Sequence, residues 1–305
     1  MVSAVSDDSA GIPDTAITAR RLAVLGDSTA VGLGDPLPDG RWRGVGPLVA
    51  GALGIAPDGY LNCSFTGARM RCVRTEQLPA ALAHRADAAV VIAGMNDTLR
   101  SDFDPAAVAA DLGHVVTELA AAGTLTVTVR FHDHGRVFRL PGPLRRALRT
   151  RIDALNAAVD TVVARHGVPC LDLGAVPGAY ELRAWSVDRL HPSELGHRML
   201  ARGVTALLAD AGYRVPAPVS LSCSGGAAAT TADHVAWLVS KGVPWLYRRG
   251  RDLVPYAAGI MLRAAAERAR LTGAGQRQAT PAPARELPDE QRIPGQAELP
   301  APAGL

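Results

Sequence analysis

The chain is 305 residues long, 48% hydrophobic and 20% charged, with aromatic residues at only 4%. This is globular composition for one large domain, or one domain with an appendage, whose core is built mainly from Ala, Val and Leu. A formal net charge of +3 gives no footing for a nucleic-acid partner.

Residues 1–20 are polar and read as a flexible leader. They contain no apolar h-region, so no signal peptide is expected. No uninterrupted apolar stretch is long enough to span a bilayer, and a cytoplasmic location is expected. The cysteines, Cys63, Cys72, Cys170 and Cys223, fit neither a zinc spacing nor a dense disulfide framework. Cys63 and Cys170 lie in apolar, strand-like runs and read as small buried hydrophobes. Cys63 and Cys72 bridge only if the compartment is oxidising.

Strand-like and helix-like patterns then alternate. RLAVLGD is a short apolar run that stops at Gly26. WRGVGPLVAGALG is helix-like, GYLNCSF is a second strand, and QLPAALAHR is a short helix. DAAVVIAGMND is a continuous β-branched and apolar run, the mark of a central parallel strand buried on both faces. In DPAAVAADLGHVVTELAAAG, Asp104 is a good N-cap, Pro105 occupies the first helical position and Gly123 lies past the end. TLTVTVRF is the fourth strand. A long amphipathic helix follows, stopped by Gly167. VPCLDLG is the fifth strand, and HPSELGHRMLARGVTALLADAG the last helix of the set. The alternation predicts an α/β domain over residues 21–212, a three-layer α/β/α sandwich with a parallel sheet. From residue 213 the pattern changes to a connector. Short helical pieces divided by Pro244 and Pro255 then make a C-terminal appendage over 213–272. Residues 273–305, rich in Pro, Ala, Gln and charge, read as a disordered tail.

Four segments carry chemistry. They are Gly26-Asp27-Ser28, the run from Asn62 to Gly67, Gly94-Met95-Asn96-Asp97, and Asp188-Arg189-Leu190-His191-Pro192. In a parallel α/β sheet, ligands bind outside the carboxyl ends of the strands, and Ser28, Asn96 and Asp97 all fall there. A serine nucleophile needs a base, usually histidine, and that histidine needs a carboxylate to fix its tautomer. Asp188 and His191 are three residues apart, close enough for one turn of backbone to bring them together. A tetrahedral oxyanion needs preorganised donors, and the Ser28 N–H, the Gly67 N–H and the Asn96 amide are candidates. Taken alone, Ser28 reads equally well as a cap for the helix that follows. Asp27 and Asp97 read as turn and loop-fixing residues.

With these blocks in this order, the chain resembles the SGNH hydrolases of the GDSL esterase/lipase family over roughly residues 20–212. The resemblance implies a flavodoxin-like sandwich. It implies Ser28 as nucleophile, His191 as general base and Asp188 as its orienting acid. The oxyanion hole would be Ser28, Gly67 and Asn96, and neither metal nor organic cofactor is implied. The expected activity is hydrolysis of carboxylic (O-acyl) esters, with a small-molecule, lipid or sugar ester as substrate. The same site also suits an O-acyltransferase or a carbohydrate O-deacetylase. Thr29 stands where the motif often has Leu, which bears on the pocket floor.

His132-Asp133-His134 puts two imidazoles and a carboxylate in one continuous loop, with no distant third ligand in view. At the carboxyl end of the fourth strand this favours a substrate-lining loop over a metal site. Asp27, Thr29, His132 and His134 are therefore the substrate-lining candidates. His84, His114, His166 and His197 have helix or helix-end positions and read as surface or packing residues. The aromatic and Arg-rich stretch over 235–263 either packs on the sandwich, as appendage or lid, or contacts a membrane surface. In the latter case the chain could also be a non-catalytic docking module.

Overall fold

Five short apolar runs become the five strands of one sheet: β1 (Leu22–Gly26), β2 (Tyr60–Asn62), β3 (Ala88–Ile92), β4 (Leu125–Arg130) and β5 (Cys170–Asp172). In this computed structural model the described residues are 16–138 and 142–224, with Ala258, Gly259 and Leu262. The chain divides into Met1–Met261 and Leu262–Leu305, and the sheet belongs to the first of these units. Strand order is β2-β1-β3-β4-β5 and every pairing is parallel. This is the flavodoxin-like doubly wound order.

Every residue of β1 and β3 is buried, as both faces of a central parallel sheet require. Helices cover both faces. On one, α2 (Val45–Leu53) packs against α9 (Glu194–Asp210). On the other, α6 (Pro105–Ala121) packs against α8 (Gly142–His166). Helix α6 buries Val108, Leu112, Val115, Val116 and Leu119, a stripe at helical spacing. Asp104 caps it by accepting from the Ala106 N–H, with Pro105 at its start. Helix α9 is capped by Ser193, whose side chain accepts from the Gly196 N–H; His191 therefore lies two residues before that cap, outside the helix.

Register sets the position of the site. Gly26 at the end of β1 pairs level with Ile92 at the end of β3. The segments that follow, Asp27-Ser28 and Gly94-Asn96, therefore leave the sheet side by side. Ser28 opens the one-turn helix α1 (Ser28–Val31), and Asp27, not Ser28, is its cap, accepting from the Thr29 N–H at 3.0 Å. Asn96 lies in the equally short α5 (Met95–Thr98). Between β2 and β3 the chain forms α3 (Met70–Cys72), a π-helical turn over Val73–Gln77 and α4 (Leu78–His84). The loop expected at His132-Asp133-His134 turns helical at its last residue, as α7 (His134–Phe138).

The end of the expected leader is tied down. Ile17 bridges Tyr213, and the Arg20 N–H donates to Asp87 Oδ2 at 2.7 Å. Residues 213–224 run as a non-helical connector. Arg43 donates to the Ser224 carbonyl and Arg198 to that of Ser220. The rest of the expected appendage and tail, and nearly all of the 235–263 stretch, lie outside the described residues. Among the described residues no helix is long and apolar enough to cross a membrane. Cys63, Cys72, Cys170 and Cys223 are free thiols, and Cys63 and Cys170 are half-buried against the core.

Candidate active site

The β1–α1 turn and the turn before α9 meet across the rim of the sheet. Ser28 Oγ lies 2.8 Å from His191 Nε2, and His191 Nδ1 lies 2.6 Å from Asp188 Oδ2. The other carboxylate oxygen, Asp188 Oδ1, accepts from the Ser186 hydroxyl at 2.6 Å and from the N–H groups of Leu190 and His191 at 2.8 and 3.0 Å. Burial pushes the Asp188 carboxyl up. The hydrogen bond and charge of His191, with the Ser186 hydroxyl, outweigh it and bring the pKa to about 2. An ionised carboxylate only accepts, so the hydrogen of a neutral His191 sits on Nδ1. Nε2 is then left to accept from Ser28. A hydroxyl, an imidazole and a carboxylate in this line can deprotonate the hydroxyl as it attacks an acyl carbon.

Asn96 Nδ2 donates to the Ala68 carbonyl at 3.1 Å and approaches Asp27 Oδ2 at 3.4 Å. Gly67, adjoining Ala68, has φ +84° and open space where a side chain would project. Asn96 thus links the Gly67-Ala68 turn to the Asp27-Ser28 turn. Asp97 fixes the loop, accepting from the Met70 N–H at 3.0 Å and pairing with Arg69 at 3.2 Å.

Three of the four substrate-lining candidates line one cavity of about 80 Å³: Thr29, His132 and His134. The rest of its wall is mostly aliphatic and aromatic, and includes Phe131, Leu173, Trp185 and Met199. Its walls include the chain neighbours of the site residues, with Thr29 beside Ser28, Met95 beside Asn96, and Leu190 and Pro192 flanking His191. The cavity therefore adjoins the loops that carry the site. Asp27 departs from the expectation. It is buried in the turn, capping α1 and facing Asn96, and is not part of the cavity wall. Burial raises its pKa to about 6.

His132 and His134 are bonded to each other, Nε2 to Nδ1 at 2.8 Å. Among the described residues no group of three His, Cys, Asp or Glu side chains is placed to hold a metal ion. His197 is fully buried, with Nε2 3.1 Å from the Leu33 carbonyl.

Three supporting residues escaped the sequence reading. Gln77 is buried and bonds both polar groups of Gly26, accepting from its N–H at 2.7 Å and donating to its carbonyl at 2.9 Å. It thereby extends the sheet by a side chain where β2 has ended. Ser186 holds Asp188. Gly34, at φ +96°, packs so closely that a Cβ would run into the Pro192 carbonyl and lie 3.2 Å from His191 Cβ. Only Gly34 carried a signal, the glycine pair Gly32 and Gly34 following Ser28.

The chain matches the model of the GDSL-like Lipase/Acylhydrolase family over residues 24–199, more than half its length. No curated protein matches the sequence. Among solved structures it is similar to an alpha/beta hydrolase from the metagenome of Lake Arreo, Spain, at 20% identity and a TM-score of 0.50, over 62% of this chain and 95% of that one. It is also similar to a variant of an acetyl-xylooligosaccharide esterase from Geobacillus stearothermophilus, at 19% identity and a TM-score of 0.50, over 62% and 94%. A lipase/acylhydrolase from Enterococcus faecalis aligns at 23% identity and a TM-score of 0.49, over 64% and 98%. At these identities the structural likeness concerns the fold. The chain, a serine ester hydrolase, belongs to the GDSL-like lipase/acylhydrolase family.

Proposed function

We propose that the protein cleaves carboxylic esters through an acyl-enzyme on Ser28, with His191 as general base and Asp188 as the residue that orients it. The observation that carries this reading is the unbroken line from Ser28 Oγ through His191 to Asp188, at 2.8 and 2.6 Å. In the first step the Ser28 oxygen bonds to the ester carbonyl carbon and its proton passes to His191 Nε2. The C–O bond to the alcohol then breaks, and the alcohol leaves with that proton. In the second step water attacks the acyl carbon, again giving its proton to His191. The acid leaves and Ser28 regains its hydrogen. Asp188, held ionised, stabilises the imidazolium formed in each step.

The oxyanion formed in each step is taken by three donors: the Ser28 N–H, the Gly67 N–H and Asn96 Nδ2. The first lies in the opening turn of α1, where backbone donors have no partner within the helix. Asn96 keeps one hydrogen on the Ala68 carbonyl. Its 3.4 Å contact with Asp27 is long for a hydrogen bond, so an oxyanion competes well for the second hydrogen. The reading is tested by ester turnover. The wild type is expected to release alcohol from short acyl esters of p-nitrophenol and Ser28→Ala to release none. Turnover retained by a folded Ser28→Ala chain would remove the acyl-enzyme from the account.

A further inference from the structure

Gln77 does more than fill space beside the nucleophile's strand. It is 1% exposed and ends the π-helical turn over Val73–Gln77, where the Leu78 N–H donates to the Val73 carbonyl. Such turns widen a helix by one residue and occur often at functional sites. A buried amide is unfavourable unless its polar atoms find partners. Gln77 finds them on one residue: its Oε1 accepts from the Gly26 N–H at 2.7 Å, and its Nε2 donates to the Gly26 carbonyl at 2.9 Å.

Gly26 is the last residue of β1 and lies two residues before Ser28. Its inner edge is fixed by β3. The Asp27 N–H donates to the Ile92 carbonyl at 3.0 Å, and Gly26, at φ +146°, packs so closely there that a Cβ would run into the same oxygen. Its outer edge lies past the end of β2, which pairs with β1 only as far as Asn62 beside Val24. The Phe65 N–H reaches the Gly26 carbonyl at 3.4 Å, long for a hydrogen bond. Gln77 therefore supplies the two bonds that a longer β2 would have made. Beyond Gly26 the chain enters α1, four residues long. A single turn is too short to hold itself, so the place of Ser28 follows from where β1 ends.

We propose that Gln77 is a positioning residue: its amide, gripping both polar groups of Gly26, fixes the end of β1 and thereby sets Ser28 Oγ against His191 Nε2. This rests on the roles assigned above to Ser28 and His191. The grip acts on the nucleophile's strand. The His191–Asp188 pair, 2.6 Å apart, is carried by another turn and does not depend on it.

The test compares Gln77→Met, which keeps the length of the side chain and loses both bonds, with Gln77→Glu. Buried against a carbonyl, a glutamic acid holds its proton. It then accepts from the Gly26 N–H and donates to the Gly26 carbonyl as the amide does. Where Gln77→Met does not fold, Gln77→Asn, which withdraws the amide by one methylene, takes its place. Thermal unfolding shows which chains are folded. The readouts are kcat and KM on a short acyl ester, the rate of labelling by a fluorophosphonate probe, and the downfield proton resonance of the His191 Nδ1–H···Asp188 bond. Gln77→Met is expected to lower kcat and the labelling rate about 10- to 100-fold, as displaced catalytic groups do, with KM and the resonance unchanged. Gln77→Glu is expected to match the wild type in all four. An equal loss of rate in folded Gln77→Glu would overturn the proposal. So would loss of the resonance along with the rate in Gln77→Met, which would mark a general loosening of the fold. A wild type that the probe does not label would overturn the reading of Ser28 and this proposal with it. A labelled wild type matched in rate by folded Gln77→Met would overturn this proposal alone.

Discussion

Asp27 and Asn96 show how one turn serves two purposes. Asp27 caps α1 and faces the amide of Asn96, at the cost of a buried carboxylate whose pKa is raised to about 6. The unfolded carboxyl titrates near its ordinary value, so the folded chain holds the proton more tightly. Its stabilising effect is complete below about pH 4 and is lost as pH rises through about 6. Asparagine also caps helices well and carries no charge. The stability of Asp27→Asn relative to wild type is therefore expected to rise by up to about 3 kcal/mol between pH 4 and pH 7. Urea unfolding at the two pH values measures this, and a constant difference would show that Asp27 is not buried as a charge. Asn96→Ala is expected to lower kcat by about 10²–10³-fold if its amide receives the oxyanion. A full rate in a stable Asn96→Ala protein would exclude that role.

At the scale of elements, the site is a meeting of strand ends and turns. The level ends of β1 and β3 bring Ser28 beside Asn96, and the turn before α9 brings His191 over them. Gly34 lets the chain after α1 lie directly against that turn. Gly34→Ala has to move the Pro192 carbonyl and strains a backbone at φ +96°. It is expected to slow ester turnover at least about tenfold in a chain that still folds, and steady-state kinetics beside circular dichroism would detect it. The strands and long helices were legible beforehand, because burial on both faces leaves continuous apolar runs and because Asp104, Pro105 and Gly167 mark helix ends. The one-turn helices α1, α5 and α7 were not, since four or five residues show no periodicity. The π-helical turn was hidden for a related reason: Gln77 acts across 51 residues on Gly26, and nothing local marks it.

For the whole molecule, the order of the four motif blocks along the chain carried more than any block did alone. Ser28 and His191 are 163 residues apart, and only the doubly wound topology brings them together. What the motifs could not convey is the support behind them: Ser186, Gly34, Gln77 and the left-handed Arg189. Each is a tertiary arrangement of ordinary residue types. The connector over residues 213–224 is fastened to the hydrolase fold by charges. Arg43 reaches Asp35, Glu194 and the Ser224 carbonyl, and Arg198 reaches Glu194 and the Ser220 carbonyl. A chain ending at Ser224 keeps all of these contacts, and is expected to fold and to hydrolyse short esters at the full-length rate. A large loss of turnover in that truncation would assign the remaining residues a part in the site.

The central claim is that Ser28 is an activated nucleophile, and intact mass after treatment with a fluorophosphonate probe tests it most directly. Wild type is expected to gain a single adduct, and Ser28→Ala none. An unlabelled wild type that is folded, or a labelled Ser28→Ala chain, would contradict the account.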